Sequence, residues 1–222
     1  MKRQVIQTAD GSKTLFIPEM NEQYHSVNGA LTESEYVFLK QGYFHHPSPS
    51  PVVFEVGFGT GLNALVTALK AEEQKRSTTF ISIEKYPISS NEIKSLDYGK
   101  TISGKAVDLF QQLHAASWGK EVTISEFFTL YKIETDLTTF SLKNLEPFDV
   151  IYFDAFAPDK QPKLWQAEIF DRIFEASRTG AVFVTYSAKG SIRRQLINSG
   201  FSMERLPGPP GKRQMLRGVR LT

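Results

Sequence analysis

The stretch Val52-Val53-Phe54-Glu55-Val56-Gly57-Phe58-Gly59-Thr60-Gly61 decides the fold. An apolar run carrying one acid predicts a strand over 52–57, and glycines follow at alternate positions 57, 59 and 61. A helical pattern begins at once and runs over 61–73. Glycines at such a place allow a tight turn and let the backbone approach a ligand. The helix behind them offers unpaired N–H groups to that ligand. By itself the segment predicts a cradle for a nucleotide-like cofactor, without saying which one.

Downstream, strands predicted at 79–84, 127–134, 148–153, 181–186, 201–206 and 213–219 alternate with helices at 88–97, 103–117, 162–177 and 190–199. Continuous apolar runs such as Val150-Ile151-Tyr152-Phe153 suit a parallel sheet buried on both faces. The alternation predicts a doubly wound sheet with right-handed crossovers. Only Pro207-Gly208-Pro209-Pro210-Gly211-Lys212 joins the last two strands, too short for a helical crossover, so that pair is expected to be antiparallel. The pattern is that of an α/β, Rossmann-like class I methyltransferase dependent on S-adenosyl-L-methionine (SAM): a mostly parallel seven-stranded sheet with one antiparallel strand.

Upstream, apolar and β-branched residues flanking Asp10-Gly11 predict a β-hairpin over 5–17. Thr32-Glu33-Ser34-Glu35 reads as a capping box with Thr32 as the cap, and Tyr36, Val37 and Leu39 carry the helix to Gly42. Pro47-Ser48-Pro49-Ser50-Pro51 is a stiff boundary. The chain is thus read as an N-terminal hairpin-and-helix extension over 1–50, on the substrate side, and a SAM-binding methyltransferase domain over 51–222.

A length of 222 residues fits one α/β domain with a small appendage, and 17 Phe can fill its core. The absence of cysteine excludes disulfides, thiolate metal sites and cysteine nucleophiles. His25, His45, His46 and His114 show no ligand spacing, so no metal is expected. No apolar run approaches the ~20 residues needed to span a bilayer. The polar start Met1-Lys2-Arg3-Gln4 is no signal peptide. A cytoplasmic protein with no membrane contact is expected. The net charge of +2 hides an asymmetry: between Lys189 and Thr222 eight Lys/Arg stand against one acid, Glu204, a balance of +7 that leaves −5 for the rest. A basic end on an acidic domain is a candidate polyanion surface, and equally a solvated face.

Acids recur at the ends of successive strands, the edge where open α/β sheets bind ligands. Glu55 precedes Gly57-x-Gly59-x-Gly61; an acid there repels a pyrophosphate and attracts the amino group of SAM. Glu84 ends the second strand, 23 residues after Gly61, where a carboxylate accepts from two ribose hydroxyls. Asp136 follows the third strand and either accepts from an adenine amino group or caps a following helix carried by Leu137, Phe140 and Leu145. Asp154 ends the fourth strand beside the first, and Phe156 and Pro158 then form an apolar wall. An acid beside an aromatic wall suits a flat base bearing a proton to be removed.

At these residues the chain resembles the tRNA 5-methylaminomethyl-2-thiouridine methyltransferases, which methylate the wobble uridine. Four stretches carry the resemblance along nearly the whole chain: Tyr36-Val37-Phe38-Leu39; Glu55 to Asn63; Phe153-Asp154-Ala155-Phe156-Ala157-Pro158 with Pro162 and Trp165; and Gly211-Lys212-Arg213-Gln214-Met215-Leu216-Arg217-Gly218. It implies SAM held at Glu55, Gly57, Gly59, Gly61, Asn63, Glu84 and Asp136, and catalysis at Asp154. It also implies an anticodon loop as partner, with Lys212 and Arg213 on its phosphates. Tyr24, His25 and Asn28 are candidates to close the pocket from the N-terminal side. Many relatives carry a C-terminal FAD-dependent domain; with the last strand ending near Thr222, neither FAD nor the oxidative step is expected, and the protein is expected to be a monomer. Two other readings stand beside this one: a small-molecule amine methyl- or aminopropyltransferase, and a silent tRNA-binding module.

Overall fold

Strand β4 (Val52–Val56) is buried along its whole length and lies at the centre of the molecule. The computed structural model describes residues 2–221. Before β4 come β1 (Gln4–Gln7), β2 (Lys13–Ile17), β3 (Glu22–Gln23) and a helix that opens as the single turn α1 (Ala30–Glu33). That helix continues through Ser34–Tyr43 in wide π-type turns. After β4 the order is α2 (Leu62–Gln74), β5 (Thr78–Glu84), α3 (Ser90–Leu96), α4 (Tyr98–Ile102), α5 (Gly104–Ala115), β6 (Glu121–Ser125), β7 (Phe128–Glu134) and β8 (Phe148–Phe153). A short 3₁₀ turn (Pro162–Trp165), α6 (Ala167–Glu175), β9 (Ser177–Thr185), α7 (Gly190–Asn198), β10 (Phe201–Pro207) and β11 (Gln214–Arg220) complete it.

The main sheet has eight strands in the order β10-β11-β9-β8-β4-β5-β7-β6. β4 pairs in parallel with β5 and β8, β5 with β7, and β8 with β9. β11 runs antiparallel to both β9 and β10, as the short Pro/Gly connection requires. All seven expected strands are present. The eighth, β6, pairs antiparallel with β7 at the other edge. Its partly exposed residues lack the apolar run that marks a two-faced strand.

Period-two alternation sorts the side chains of the sheet onto two faces. Val53, Val150, Tyr152, Val182 and Val184 meet α2, α5 and the π-type segment in one core. Val52, Phe54, Val56, Ile151, Phe153 and Phe183 meet α6 and α7 in the other. Glu55 and Asp154 have the parity of Val53 and Tyr152, so they belong to the first face. Val37, Phe38 and Tyr43 of the π-type segment are buried in that same core. Residues 30–43 of the extension therefore help to cover the main sheet. Met1 and Thr222, the outer ends of the two expected spans, lie outside the described residues. Among the described residues no helix is long and apolar enough to cross a membrane.

Two local expectations are corrected. Thr32 is not a cap: the helix opens one turn earlier, behind Gly29, with no side-chain cap of its own. Asp10 supplies the missing acceptor from the hairpin turn, its Oδ2 taking the Thr32 N–H and hydroxyl at 2.9 Å each. The helix expected over 162–177 breaks at Gln166, whose ψ of 153° is extended. The helix expected over 88–97 is present as Ser90–Leu96 and stops where expected, at Asp97, whose φ of 51° is left-handed.

Asp10 also accepts from Thr8, from the Ser12 N–H and from the Ser12 hydroxyl. Burial pushes its carboxyl up, but the hydrogen bonds from Ser12, Thr32 and Thr8 outweigh it and hold the group well below the usual carboxylate range. A depressed folded value means stability that is full above the unfolded pKa of ~3.9 and is lost as pH falls below it. Asp10→Ala is expected to cost about 1 kcal/mol at neutral pH, the worth of an ordinary cap, because solvent screens the rest. Thermal unfolding of both proteins at neutral pH and near pH ~3 checks this; the gap must narrow in acid.

Candidate active site

The carboxyl ends of β4, β5, β7 and β8 open into a cavity of about 350 Å³, within the range of small-ligand sites. Tyr24, His25, Gly57, Gly59, Asn63, Glu84, Asp136, Asp154 and Phe156 line it, so most of the residues singled out above meet in one place. Glu55, Gly61, Pro158, Asn28, Lys212 and Arg213 are outside the lining.

The glycine turn shapes the floor. Gly57 and Gly59 have φ of 94° and 51°, left-handed values that side chains disfavour. A Cβ on Gly57 would sit 3.0 Å from the Asp154 carbonyl oxygen, and one on Gly59 3.0 Å from the Tyr24 ring. The turn thus leaves a backbone-lined cradle that any side chain would fill. Glu84 ties it down, its Oε2 accepting the Gly59 N–H at 2.9 Å and its Oε1 the Tyr86 N–H at 2.7 Å. A carboxylate has about four acceptor sites, so Glu84 retains capacity for two hydroxyls.

Asp136 is already committed in part. Its Oδ1 takes the Thr138 N–H and hydroxyl, and its Oδ2 takes the Lys85 ammonium at 2.8 Å. Lys85 first, and Thr138 second, pull its carboxyl down to about 2. The helix expected after Asp136 is absent: residues 137–147 form turns, and Asp136 holds the first of them on the cavity wall.

Glu55 differs from the expectation of direct contact. It lies beneath the floor with no exposed surface, its Oε2 accepting from Ser82 at 2.6 Å and its Oε1 without a partner. Burial raises its carboxyl to about 8, against the hydrogen bond from Ser82. The β4 alternation turns it inward beneath α2, so it is neutral at pH 7 unless a cation approaches.

Asp154 sits at the cavity floor. Its Oδ2 accepts from Asn63 Nδ2 at 2.8 Å. Burial, and then the negative charge of Glu33, raise its carboxyl to about 7, while Asn63 and Lys212 oppose the rise. The N-terminal sheet closes the other side. Tyr24 meets Phe156 edge-on at 4.9 Å, and Lys160 donates to the Met20 carbonyl. His25 is held at 2.9 Å from the Thr14 hydroxyl, and burial drops its ring to about 4, so it is neutral. Tyr86, Lys160 and Gln161 also line the cavity and were not singled out in the sequence. Only their nearness to Glu84 and to Asp154 along the chain pointed to them.

The basic end is less available than its charge suggests. Lys212 donates to Glu33 Oε1 at 2.5 Å and lies 3.8 Å from the centre of the Tyr186 ring. Arg217 pairs with Glu204 and Gln41, and Arg193 and Arg220 donate to backbone carbonyls. Arg194, Arg205 and Arg213 are exposed. Asn28 packs against Gly211 of the β10–β11 turn, away from the cavity.

Residues 112–221 match the sequence profile of a family described as S-adenosyl-L-methionine-dependent methyltransferase. The tRNA 5-methylaminomethyl-2-thiouridine biosynthesis bifunctional protein MnmC of Aeromonas salmonicida is 33% identical over 226 residues, covering 91% of this chain and 33% of the relative. The protein of that name from Paraburkholderia xenovorans is also 33% identical, over 92% of this chain and 33% of its own. The chain thus spans about a third of the length of these relatives. The crystal structure of MnmC2 from Aquifex aeolicus superposes with a TM-score of 0.78 at 26% identity, covering 98% of this chain and 70% of that one. Residues 112–221 thus match the S-adenosyl-L-methionine-dependent methyltransferase family, and nearly the whole chain is similar to the MnmC proteins.

Proposed function

We propose that this protein methylates the aminomethyl nitrogen of 5-aminomethyl-2-thiouridine at the wobble position of tRNA, acting as a monomer. The observation that carries this is Asp154, a carboxylate raised to about 7 on the floor of a cavity walled by Phe156 and Tyr24. The names of the relatives supply the substrate. Gly57, Gly59, Asn63, Glu84 and Asp136 would hold SAM, with Glu55 beneath the turn. When bound, SAM supplies a methyl group on a sulfonium, an already activated leaving group.

The chain's own task is the amine. With a pKa near that of lysine, ~10.4, only about one amine in 10³ is neutral at pH 7. Asp154 binds the ammonium, accepts its proton and holds the nitrogen in line. An ordinary aspartate would mismatch that amine by about six pKa units; Asp154 at about 7 reduces the gap to about three. A wobble base lies in a loop and is splayed into a pocket at small unpairing cost.

The ionised form of Asp154 is the active one, so kcat/KM for tRNA is expected to climb with pH through about 7. A flat profile between about pH 6 and about pH 8 would remove Asp154 as the proton acceptor. The function itself is tested by nucleoside mass spectrometry of tRNA bearing the free aminomethyl group, before and after incubation with the protein and SAM. A mass gain of one methyl on that nucleoside supports the proposal. Methylation of added polyamines with tRNA untouched overturns it.

A further inference from the structure

Ser34 opens the π-type segment, is fully buried, and donates to Asn63 Oδ1 at 2.5 Å. A helical serine hydroxyl usually turns back to its own backbone or to water. This one instead reaches across to α2. Asn63 is buried too, and its amide has one acceptor and two donors. With Oδ1 taken by Ser34, Nδ2 faces Asp154 Oδ2 at 2.8 Å. Among the described residues no hydrogen bond reaches Asp154 Oδ1, which leaves that edge of the carboxylate to the cavity.

We propose that Ser34 is a positioning residue: through Asn63 it aims an N–H at one oxygen of Asp154 and so determines which carboxylate edge meets the substrate amine. Without the Ser34 hydroxyl, Asn63 Oδ1 becomes an unsatisfied buried acceptor, a costly state that the amide leaves by turning or shifting. Either movement takes Nδ2 from Asp154 or brings an oxygen towards it. Both disfavour the carboxylate and favour the protonated acid.

The groups around Asp154 come from five parts of the chain. Glu55 lies on β4, Asn63 on α2, Glu33 at the end of α1, and Lys212 on the β10–β11 turn; Tyr186 closes the ring from the end of β9 with its hydroxyl on the Ala155 carbonyl. Glu33 is the neighbour of Ser34 and acts in the opposite sense. Its buried carboxylate takes the Ser26 N–H and Lys212, and its negative charge favours protonated Asp154. Adjacent residues of one helix thus bear on Asp154 with opposite signs, which separates the proposal from a general loosening of the segment.

The test reads the ¹³C carboxyl titration of Asp154 in the protein free of cofactor and tRNA, with Asp154→Asn identifying the signal. Ser34→Ala is expected to move the titration up by about one pH unit. Asn63→Ala should move it similarly, and the double variant no further, because one path carries both effects. Ser34→Thr keeps the hydroxyl and should titrate as wild type. Glu33→Gln should move it down. In turnover, Ser34→Ala should lower kcat about tenfold, the loss of one positioned hydrogen bond, and Ser34→Thr should restore it. A wild-type titration in Ser34→Ala, additive single shifts, or equal shifts in Ser34→Ala and Glu33→Gln would overturn the inference. It rests on the reading that Asp154 receives the amine. Full activity of Asp154→Asn would sink that reading while leaving the titrations intact, so the two failures are distinguishable.

Discussion

Asp154→Asn is expected to lower methyl transfer to tRNA by about 10²–10³-fold, the range lost when a positioned proton acceptor is removed. The isosteric amide still fills the floor and can pair with Asn63 by turning its own oxygen to Nδ2. It no longer holds an ammonium or takes its proton. Since Asp154 faces the substrate side while Glu84 and the glycine turn hold the other, SAM affinity by calorimetry should change less than threefold, about 0.6 kcal/mol. Loss of turnover with retained SAM binding is the diagnostic pair. Near-normal turnover would remove Asp154 from the chemistry, and equal loss of both would make it a structural acid of the floor.

Gly57→Ala is expected to abolish cofactor binding and turnover together. At φ 94° an alanine is strained at once, a cost of order 1–3 kcal/mol. Its Cβ would also stand 3.0 Å from the Asp154 carbonyl oxygen, a backbone atom with no rotamer to give. The Gly57 N–H donates to the Ile83 carbonyl, so the turn cannot swing aside without losing its link to β5. We expect SAM affinity to fall at least about 30-fold, equivalent to about 2 kcal/mol, with the thermal midpoint lowered by a few degrees. Wild-type affinity by calorimetry would show that the turn is not the cofactor cradle.

The layout was readable in the sequence wherever one physical rule acted alone. Two-faced burial demands continuous apolar strands, which marked β4, β8 and β9. The six-residue Pro/Gly connection left β10 and β11 no choice but to run antiparallel. Acids at strand ends mark the cavity edge, and Glu84, Asp136 and Asp154 all line the cavity. What escaped is what depends on partners distant in sequence. β6 is an edge strand whose partly exposed pattern resembles a loop. Thr32 and Glu35 match a capping pattern, yet the acceptor used is Asp10, 22 residues away. The tail's charge is a sum over residues, and its availability depends on Glu33, Glu204 and Gln41, which no composition reveals. Glu55 was picked out correctly as unusual, but whether a strand residue faces a ligand or lies beneath it is decided by the helix laid over it.

The wide turns over Ser34–Tyr43 have a consequence for how this chain can tolerate change in length. A π-type turn is topologically an α-helix that has accepted an extra residue, and such stretches are rare because their bonding is poorer. Deleting one residue between 35 and 42 would let the segment rewind as ordinary α-helix, which on stability alone looks like an improvement. Rewinding turns everything before the deletion by about 100° relative to everything after it. Val37, Phe38 and Tyr43 are anchored in the core, so Glu33 and Ser34 would be the residues to swing. Across descendants of this sequence, the length of this segment should therefore be more tightly constrained than the identity of most residues in it, and a single-residue deletion should abolish methylation even in a protein that still folds.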